Sequence, residues 1–326
     1  MAGTGTGHLR DEAVLRVVDL VVEFPAPRRR VVHAVSGVSF DLDRGETLGI
    51  VGESGCGKTT TGRAVMQLEH VTSGSIELNG TDLANLKGEK LRQARRAMQM
   101  IFQDPVSSLN PSRRVRDIVR EGLEIWGTTQ GAFREGWVDD IMESVGLGDP
   151  GVGARRPHEF SGGQCQRICI ARALVMDPDV LILDEPVSAL DVSVQAQILN
   201  LLEHLKSKFG LTMLFISHDL AVVKNISDRV MVMYLGKVCE IAETDQLYDR
   251  PTHPYTRALL ASIPGHTLDL PLASELISGE LPSPLDPPSG CRFRTRCPRA
   301  SERCAVEEPV LVETEPGHWV ACHHPA

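Results

Sequence analysis

Short apolar runs alternate with longer amphipathic stretches along most of the chain. Two β-branched segments, residues 14–24 and 31–42, predict antiparallel strands that are joined by an exposed turn at residues 28–30. Residues 46–51 predict a buried strand that ends in a glycine-rich loop, and residues 58–68 predict the helix that follows this loop. The first part of the chain therefore predicts a strand, loop and helix unit beside an antiparallel sheet.

The middle of the chain continues with alternating helices and strands. The pattern predicts, in order, helices at 115–145 and 164–176, a buried strand at 180–183, a helix at 192–209, a strand at 212–217 and a helix from about 220. Such alternation is typical of an α/β fold with a mostly parallel sheet covered on both faces. Residues 262–290 hold prolines 264, 271, 282, 284, 287 and 288 and predict no regular structure.

Length, composition and charge narrow the class of protein. A chain of 326 residues with 42% hydrophobic and 24% charged residues predicts one large globular domain with a small appendage. The net charge of -9 gives no electrostatic reason to expect a nucleic acid as partner. The longest apolar runs are strand-sized and the N-terminal residues lack an apolar core of signal-peptide type, so we expect a cytosolic protein.

A glycine-rich loop carries the first candidate chemistry. The sequence Gly-Glu-Ser-Gly-Cys-Gly-Lys-Thr at residues 52–59 fits the P-loop pattern and lies between a predicted strand and a predicted helix. Its glycines let backbone N–H groups converge on phosphate oxygens at the N-terminus of the helix. Lys58 is predicted to reach the β and γ phosphates, and Thr59 to give its hydroxyl to Mg²⁺.

Two further motifs point to the same chemistry. Asp184 and Glu185 follow the buried run 180–183, where a carboxylate is costly unless it faces a cation or solvent. Asp184 is predicted to join the Mg²⁺ shell, and Glu185 to polarise the attacking water. The sequence Phe-Ser-Gly-Gly-Gln at residues 160–164 precedes a helix and offers a hydroxyl and backbone N–H groups to an anion.

Taken in chain order, these motifs resemble those of the ABC ATPase family. The match extends over about residues 14–250 and consists of residues 52–59, Gln103, residues 161–164, Asp184 and Glu185, the Ser-Ala-Leu-Asp sequence at 188–191, and His218. The resemblance implies an α/β, RecA-like P-loop core with an antiparallel β subdomain and an α-helical subdomain at about 105–165. We therefore predict an ABC ATPase domain at 1–260 and a proline- and cysteine-rich C-terminal domain at 261–326.

In that family two ATPase domains enclose two ATP molecules, and each P-loop faces the signature sequence of the partner. The resemblance implies that Gln103 senses the γ phosphate and couples to transmembrane subunits, that His218 contacts the γ phosphate, and that Asp191 crosses the dimer interface. Phe24 falls where the family places an aromatic side chain that stacks on adenine, although a position in a strand core explains it as well. The predicted catalytic residues are Glu185, His218 and Gln103. The predicted Mg²⁺ ligands are Thr59, Gln103 and Asp184. The predicted nucleotide contacts are Phe24, Gly52, Ser54, Gly55, Cys56, Gly57, Lys58, Thr59, Thr60, Gln103, Ser161, Gly162, Gly163, Gln164, Asp184, Asp191 and His218.

Residues 103–111, 253–256 and 279–284 look like the ATPase subunits of dipeptide and oligopeptide importers, and most like the second of the two subunits such importers carry. The resemblance implies ATP-driven peptide uptake at the cytoplasmic face of the membrane. It also implies three kinds of partner: a paralogous ATPase subunit in a heterodimer, two transmembrane permease subunits and, indirectly, an extracytoplasmic substrate-binding protein.

Other ABC proteins are alternatives to this interpretation. Importers for nickel, glutathione or another small solute share much of the pattern, and a non-transport ABC ATPase stays open as well. A DNA-repair ABC ATPase would need a long coiled-coil insertion, and an ABC translation factor would carry two P-loops; the sequence has neither. Glu185 and His218 favour an active ATPase over a regulatory module that does not hydrolyse ATP.

Four of the eight cysteines lie after residue 290, at positions 291, 297, 304 and 322. Disulfides are disfavoured in the cytosol, so a cluster of four thiols predicts a metal centre. The spacing lacks the tight pairs that are typical of zinc sites, and a larger [4Fe-4S] cluster tolerates wider gaps. We therefore predict a structural [4Fe-4S] cluster on Cys291, Cys297, Cys304 and Cys322, with zinc as the alternative.

Overall fold

The computed structural model describes residues 5–127, 136–263, 277 and 279–326. Contacts divide the chain into two compact units, the first formed by residues 1–86 with 214–326 and the second by residues 87–213. The strands are β1 Leu15–Ala26, β2 Arg30–Leu42, β3 Thr47–Val51, β4 Ser73–Leu78, β5 Thr81–Asp82, β6 Met98–Ile101, β7 Val180–Asp184, β8 Met213–Ile216, β9 Arg229–Tyr234, β10 Lys237–Glu243, β11 Val312–Glu315 and β12 His318–Val320. The helices are α1 Lys58–Val65, α2 Gly88–Arg96, α3 Val115–Ile125, α4 Trp137–Ser144, α5 Gly162–Leu174, α6 Val192–Phe209, α7 Leu220–Ile226, α8 Thr244–Asp249, α9 Pro254–Ala261 and α10 Glu302–Val306, with 3-10 turns at Pro27–Arg29, Val152–Ala154 and Pro157–Glu159.

The first unit begins with an antiparallel sheet in the strand order β2-β1-β4-β5. Strands β1 and β2 form a long hairpin in which Leu15 pairs with Leu42 and Phe24 with Val32. The exposed 3-10 turn Pro27–Arg29 connects them, and Arg28 and Arg29 take positive φ there. The predicted antiparallel strands and their exposed turn are confirmed.

A second sheet of this unit contains β11, β12, β10, β9, β3 and β8, in that order. Strand β3 is buried along its whole length and runs parallel to β9, with Ile50 opposite Met231. The Ser217 N–H donates to the Ile50 carbonyl oxygen at 3.1 Å, which joins the end of β8 to β3. Helix α1 follows β3 after the glycine-rich loop, so the predicted strand, loop and helix unit is confirmed.

The described part of the C-terminal tail belongs to this first unit by its contacts. Strand β12 pairs with β10, with Val320 opposite Glu240. Phe293 is 2% exposed, and its ring lies 5.2 Å from that of Tyr234 and 5.4 Å from that of Tyr255. The division at residue 260 into two domains stays a prediction.

The remaining features of this unit are the proline-rich segment and Cys239. Residues 279–290 hold neither helix nor strand, as predicted, whereas residues 264–276 and 278 lie outside the described ones. Cys239 lies inside β10, which continues through Glu243, and its side chain is buried.

Among its described residues the second unit combines a parallel strand pair with the five helices α2 to α6. Strands β6 and β7 pair with Met98 opposite Val180 and Ile101 opposite Leu183. Helix α3 buries Val115, Ile118, Val119 and Leu123, which recur at helical spacing on one face.

The predicted helix 115–145 is two helices among the described residues, and residues 128–135 lie outside these. Gly127 follows α3 and Gly136 precedes α4, and both take positive φ, a backbone conformation that ends or begins a helix. No helix among the described residues combines the length and apolarity that crossing a membrane requires.

Candidate nucleotide site

The P-loop, residues 52–59, is shaped by two glycines that no other residue could replace without strain. Gly52 has φ +152°, and an added Cβ atom would lie 2.1 Å from the Met233 carbonyl oxygen. Gly57 has φ +103°, and an added Cβ atom would lie 2.3 Å from the Ala34 carbonyl oxygen. The loop therefore passes so close to neighbouring backbone that glycine is required at both positions.

Lys58 occupies the inside of the loop at the start of α1. Its side chain is almost fully buried, and its Nζ donates to the carbonyl oxygens of Gly52 at 2.7 Å and Glu53 at 3.1 Å. Ser54 and Gly55 are exposed at the tip of the loop, and Thr59 and Thr60 are half-buried in the first turn of the helix. The loop thus combines a cation, exposed backbone and a helix N-terminus, as an anion site requires.

Cys56 takes part in this loop as a packing residue. Burial raises the pKa of its thiol, so the side chain stays neutral. Its backbone N–H donates to the Glu53 carbonyl oxygen at 3.2 Å, and its side chain lies against the position of Gly52. Only the backbone of Cys56 is suited to a phosphate group.

His218 lies at the same sheet edge as the P-loop. It lies two residues after the end of β8, and β8 and β3 are neighbours whose ends are joined by the Ser217–Ile50 hydrogen bond. The His218 side chain is exposed, and the next residue, Asp219, caps α7 by accepting from the Ala221 N–H at 2.8 Å.

Phe24 lies near the end of β1 and is half-buried. Its stacking on adenine remains a prediction.

In the second unit the parallel pairing of β6 and β7 brings a glutamine to the acidic residues. Ile101 is opposite Leu183, and Gln103 and Glu185 each lie two residues beyond these partners. The Gln103 Nε2 donates to the Glu185 Oε2 at 2.9 Å, and Asp184 is nearly buried at the end of β7. Glu185 takes φ +49°, a strained conformation for a residue with a side chain, which aims its carboxylate from the end of the strand.

The signature segment, residues 160–164, precedes α5 as predicted, and its Ser161 caps this helix. The Ser161 Oγ accepts from the Gln164 N–H at 3.4 Å, and the Gln164 Oε1 accepts from the Ser161 N–H at 3.0 Å, a capping box. An added Cβ atom at Gly163 would lie 2.5 Å from the Val194 Cγ1, so this glycine lets α5 approach α6 closely. Ser161, Gly162 and Gln164 are nevertheless exposed.

Asp191 stands at the start of α6. It occupies the N-cap position of the helix but its side chain makes no capping hydrogen bond. Because Asp191 is exposed and its side chain does not cap α6, its carboxylate is placed where a partner surface could contact it.

The segment after Gln103 is tied to the signature helix. The Cys169 Sγ donates to the Pro105 carbonyl oxygen at 3.5 Å, and the Arg172 Nη1 donates to the Ser108 carbonyl oxygen at 2.6 Å. Both donors lie on α5. Val106, between the two acceptors, keeps 57% of its surface exposed. An exposed apolar side chain is thus held rigidly on the helix that begins with the signature segment.

The four tail cysteines lie near enough to one another to affect each other's pKa. Burial raises the pKa of Cys291 to about 12 and of Cys322 to about 11, and for each of them two or more of the other tail thiols act in the same direction. The Cys291 N–H donates to the Cys304 carbonyl oxygen at 2.8 Å. Among the described residues no group of three or more histidine, cysteine, aspartate or glutamate side chains is placed to hold a metal ion. The sites predicted for Mg²⁺ and for the tail metal centre are therefore not shown.

The tail arginines are engaged elsewhere than with the thiols. Arg296 is bonded to Glu53, Arg303 to Glu307, and Arg294 to the Ser289 carbonyl oxygen. Arg299 is the tail arginine that lowers the pKa of Cys297 and of Cys322, and its effect is smaller than that of burial. Burial therefore dominates the pKa of these two thiols.

Sequence reasoning missed three residues around the P-loop. The Glu53 N–H donates to the Tyr255 Oη at 2.9 Å, and the Glu53 carboxylate is held by Arg296. A signal was present, since an acidic residue inside a phosphate-binding loop requires a nearby cation. The arginine-rich segment 292–303 could have supplied it, but the sequence does not say which arginine reaches the loop.

Comparison with protein families finds two matches along the chain. Residues 35–188 match the model described as "ABC transporter", and residues 239–304 match the model described as "Oligopeptide/dipeptide transporter, C-terminal region". The first match contains the P-loop, Gln103, the signature segment and Glu185, and the second contains three of the four tail cysteines.

Relatives named for oligopeptide transport resemble the chain over nearly its full length. The putative oligopeptide transport ATP-binding protein YkfD of Bacillus subtilis is 53% identical over 97% of this chain and 96% of its own length. The oligopeptide transport ATP-binding proteins AppF of Bacillus subtilis and OppF of Salmonella typhimurium are 51% and 48% identical, over 96% and 95% of this chain and 97% and 96% of their own lengths.

Solved structures share the fold. CbiO1 of Clostridium perfringens, part of the ABC transporter complex cbiONQ, matches with a TM-score of 0.63 and 26% identity over 74% of this chain and 92% of its own. The ATP-binding cassette MJ0796, in a dimeric post-hydrolysis state bound to ADP and Pi, matches with a TM-score of 0.63 and 24% identity over 71% of this chain and 98% of its own.

Proposed function

The chain belongs to the ABC transporter family of ATP-binding, ATP-hydrolysing proteins, and we propose that it powers peptide uptake as one ATPase subunit of an importer. The match at residues 239–304 to the oligopeptide and dipeptide transporter C-terminal region carries the peptide assignment, because the ATPase part alone would suit any ABC transporter. The names of the relatives support the same substrate class.

The proposed chemistry uses the P-loop, Gln103 and the two acidic residues that follow the apolar run of β7. Lys58 would bind the β and γ phosphates, while Thr59, Gln103 and Asp184 would provide oxygen ligands for Mg²⁺. Glu185 accepts a proton from the attacking water, and Gln103 orients that carboxylate. The 2.9 Å hydrogen bond between the Gln103 and Glu185 side chains supports this pairing, since it holds the carboxylate in a defined orientation.

The signature residues serve the nucleotide of a second ATPase subunit in this proposal. Ser161 and Gly162 are exposed at the N-terminus of α5, where backbone N–H groups and the helix dipole favour a phosphate. Asp191 is exposed and makes no capping bond, which suits a contact across the subunit interface. The second subunit is a paralogous ATPase chain.

Two transmembrane subunits would bind the segment of residues 105–123. The exposure of Val106 supports an apolar contact there, and the hydrogen bonds from Cys169 and Arg172 would transmit movement of this segment to the signature helix. Through these subunits the protein is held at the cytoplasmic face of the membrane, and a substrate-binding protein acts on the opposite side.

The four tail cysteines hold a [4Fe-4S] cluster in this proposal, with zinc as the alternative. Four thiol donors match such a cluster in number and chemistry, and their mutual effect on pKa reflects their proximity. The cluster would supply a covalent cross-link within the tail rather than a reaction site, because four thiolates leave no iron position open.

The function is tested with the assembled transporter in membrane vesicles. Uptake of a radiolabelled tripeptide and release of phosphate are measured for the wild type, Lys58→Ala and the control Lys90→Ala, an exposed lysine on α2. Lys58→Ala should abolish both, because it removes the main side-chain cation at the phosphates. Lys90→Ala should change neither by more than about twofold.

Normal phosphate release by the Lys58→Ala complex would contradict the ATP site. ATP-driven uptake of nickel or of glutathione, with no uptake of peptides joined by ordinary α-peptide bonds, would leave the ATPase assignment intact and refute the import of di- and oligopeptides.

A further inference from the structure

Glu53 is an acidic residue inside the P-loop, and all of its polar groups are bonded. Its N–H donates to the Tyr255 Oη at 2.9 Å and its carbonyl oxygen accepts from the Lys58 Nζ at 3.1 Å. Its carboxylate accepts two hydrogen bonds from Arg296, at 2.7 Å and 3.0 Å. The second residue of the loop is therefore fixed from three directions.

Arg296 reaches this carboxylate from the C-terminal tail, 243 residues further along the chain. Its side chain is 9% exposed, and its guanidinium lies 5.7 Å from the ring centroid of Tyr234. The hydrogen bonds that Arg296 donates to Glu53 are the main reason that the pKa of Arg296 is raised. A two-pronged ion pair of this kind fixes both position and orientation.

A second tail arginine holds the other side of the same loop. Arg292 donates to the Leu235 carbonyl oxygen and, at 2.8 Å, to the Ser36 Oγ. The next residue, Gly236, donates its N–H to the Cys56 carbonyl oxygen at 2.8 Å. Arg292 directly follows Cys291, and Arg296 directly precedes Cys297. One short turn of the tail therefore supports the P-loop at two points.

The charge of Glu53 gives Arg296 a role beyond fastening the tail. A carboxylate beside the phosphates of ATP repels them unless a cation neutralises it, and the repulsion is strong in a partly buried site. Arg296 neutralises this carboxylate and keeps it turned toward the tail. Removing Arg296 would leave an unpaired negative charge in the loop that binds phosphate.

We propose that the tail turn of residues 291–297 braces the P-loop, and that Arg296 is a positioning residue which sets the affinity for ATP by neutralising and orienting Glu53. The tail is then a regulator of the nucleotide site rather than a separate appendage. The inference rests on the proposed role of the P-loop as the ATP site.

The test measures binding of a non-hydrolysable ATP analogue with a β,γ-imido bridge to the full chain, with Mg²⁺, by titration calorimetry. The variants are Arg296→Ala, Arg296→Lys, Glu53→Gln and the double variant Arg296→Ala with Glu53→Gln. Arg303→Ala is the matched control, an exposed arginine of the same tail that pairs with Glu307. Thermal unfolding of each variant reports the stability of the fold separately.

Arg296→Ala should weaken binding about tenfold, which corresponds to about 1.4 kcal/mol. The double variant should return to within about threefold of the wild type, because the repelling charge is gone, even where its melting temperature stays low. Arg296→Lys keeps the charge but loses the two-pronged geometry and should weaken binding about threefold. Arg303→Ala should bind as the wild type does.

Binding by Arg296→Ala within twofold of the wild type, or a double variant as weak as Arg296→Ala, would overturn the proposal. If Arg296→Ala does not fold, Arg296→Lys decides, and wild-type affinity in that variant refutes the brace. Lys58→Ala separates this failure from that of the proposed function, since unimpaired binding by Lys58→Ala would instead show that the nucleotide binds elsewhere.

Discussion

His253 makes the stability of the protein depend on pH in a predictable direction. It is fully buried at the N-terminus of α9, where its Nδ1 accepts a hydrogen bond from the Tyr255 N–H at 3.0 Å. Burial lowers the pKa of His253 from 6.5 to about 4, and the charge of the neighbouring Glu240 opposes this only in part. A proton on Nδ1 would also remove the cap of α9.

The sign of the effect follows from which state binds the proton. Between pH 6.5 and about pH 4 the unfolded chain protonates His253 and the folded chain does not. The stability due to the neutral imidazole is therefore fully present above pH 6.5 and is lost as the pH falls toward 4. At about 1.4 kcal/mol for each pKa unit, the difference corresponds to about 3 kcal/mol of unfolding free energy.

The variant His253→Asn isolates this contribution, because asparagine caps a helix but does not titrate in this range. Guanidinium unfolding is measured at several pH values between about 7 and about 4.5 for the wild type, His253→Asn and the control His204→Asn, an exposed histidine on α6. As the pH falls, the unfolding free energy of the wild type and of the control should decrease by about 1.4 kcal/mol per pH unit more than that of His253→Asn, because their unfolded chains bind one additional proton.

Equal pH slopes for the wild type and His253→Asn would refute the reasoning. The slopes are compared rather than the stabilities themselves, because asparagine is smaller than histidine and leaves a cavity at every pH.

Two further predictions concern the surfaces proposed for partners and metal. A photo-crosslinker at Val106 should label a transmembrane subunit in the assembled complex. One at Val306, an equally apolar and 84% exposed position in the tail, should not. Labelling from both positions or from neither would contradict the proposed binding of the transmembrane subunits to residues 105–123. Protein purified without oxygen should contain about four iron and four sulfide ions per chain. These should be lost in Cys297→Ser but retained in Cys165→Ser. A colourless protein with one zinc ion per chain would contradict the cluster and support zinc, the alternative metal.

Strands and helices with strong local patterns were predictable from the sequence. Helix α6 spans residues 192–209 as predicted, because an Asp–helix–Gly sequence marks both of its ends, with Gly210 in the left-handed conformation. Strand β7 was recognised from its four apolar residues, which are buried on both faces. Strand β6 was not predicted, because its four residues Met98–Ile101 are too short to show a period.

The candidate site was predictable only where the residues that form it lie close together in the sequence. The P-loop and the capping box of Ser161 each lie within a few residues and carry their own pattern. The contact of Arg296 with Glu53 joins residues 243 positions apart, and only the packing of the tail against β9 and β10 brings them together. No periodicity or spacing in the sequence selects Arg296 among the tail arginines.

The central claim is that this chain hydrolyses ATP with Glu185 as the base, and Glu185→Gln tests it most directly. In the assembled transporter with ATP and Mg²⁺, the amide keeps the shape of the carboxylate and its hydrogen bond with Gln103 but cannot accept the proton. We predict that the variant complex retains bound, unhydrolysed ATP while phosphate release falls at least about a hundredfold, and that the control Glu203→Gln, at an exposed position on α6, hydrolyses as the wild type does. Phosphate release at the wild-type rate by Glu185→Gln would contradict the account.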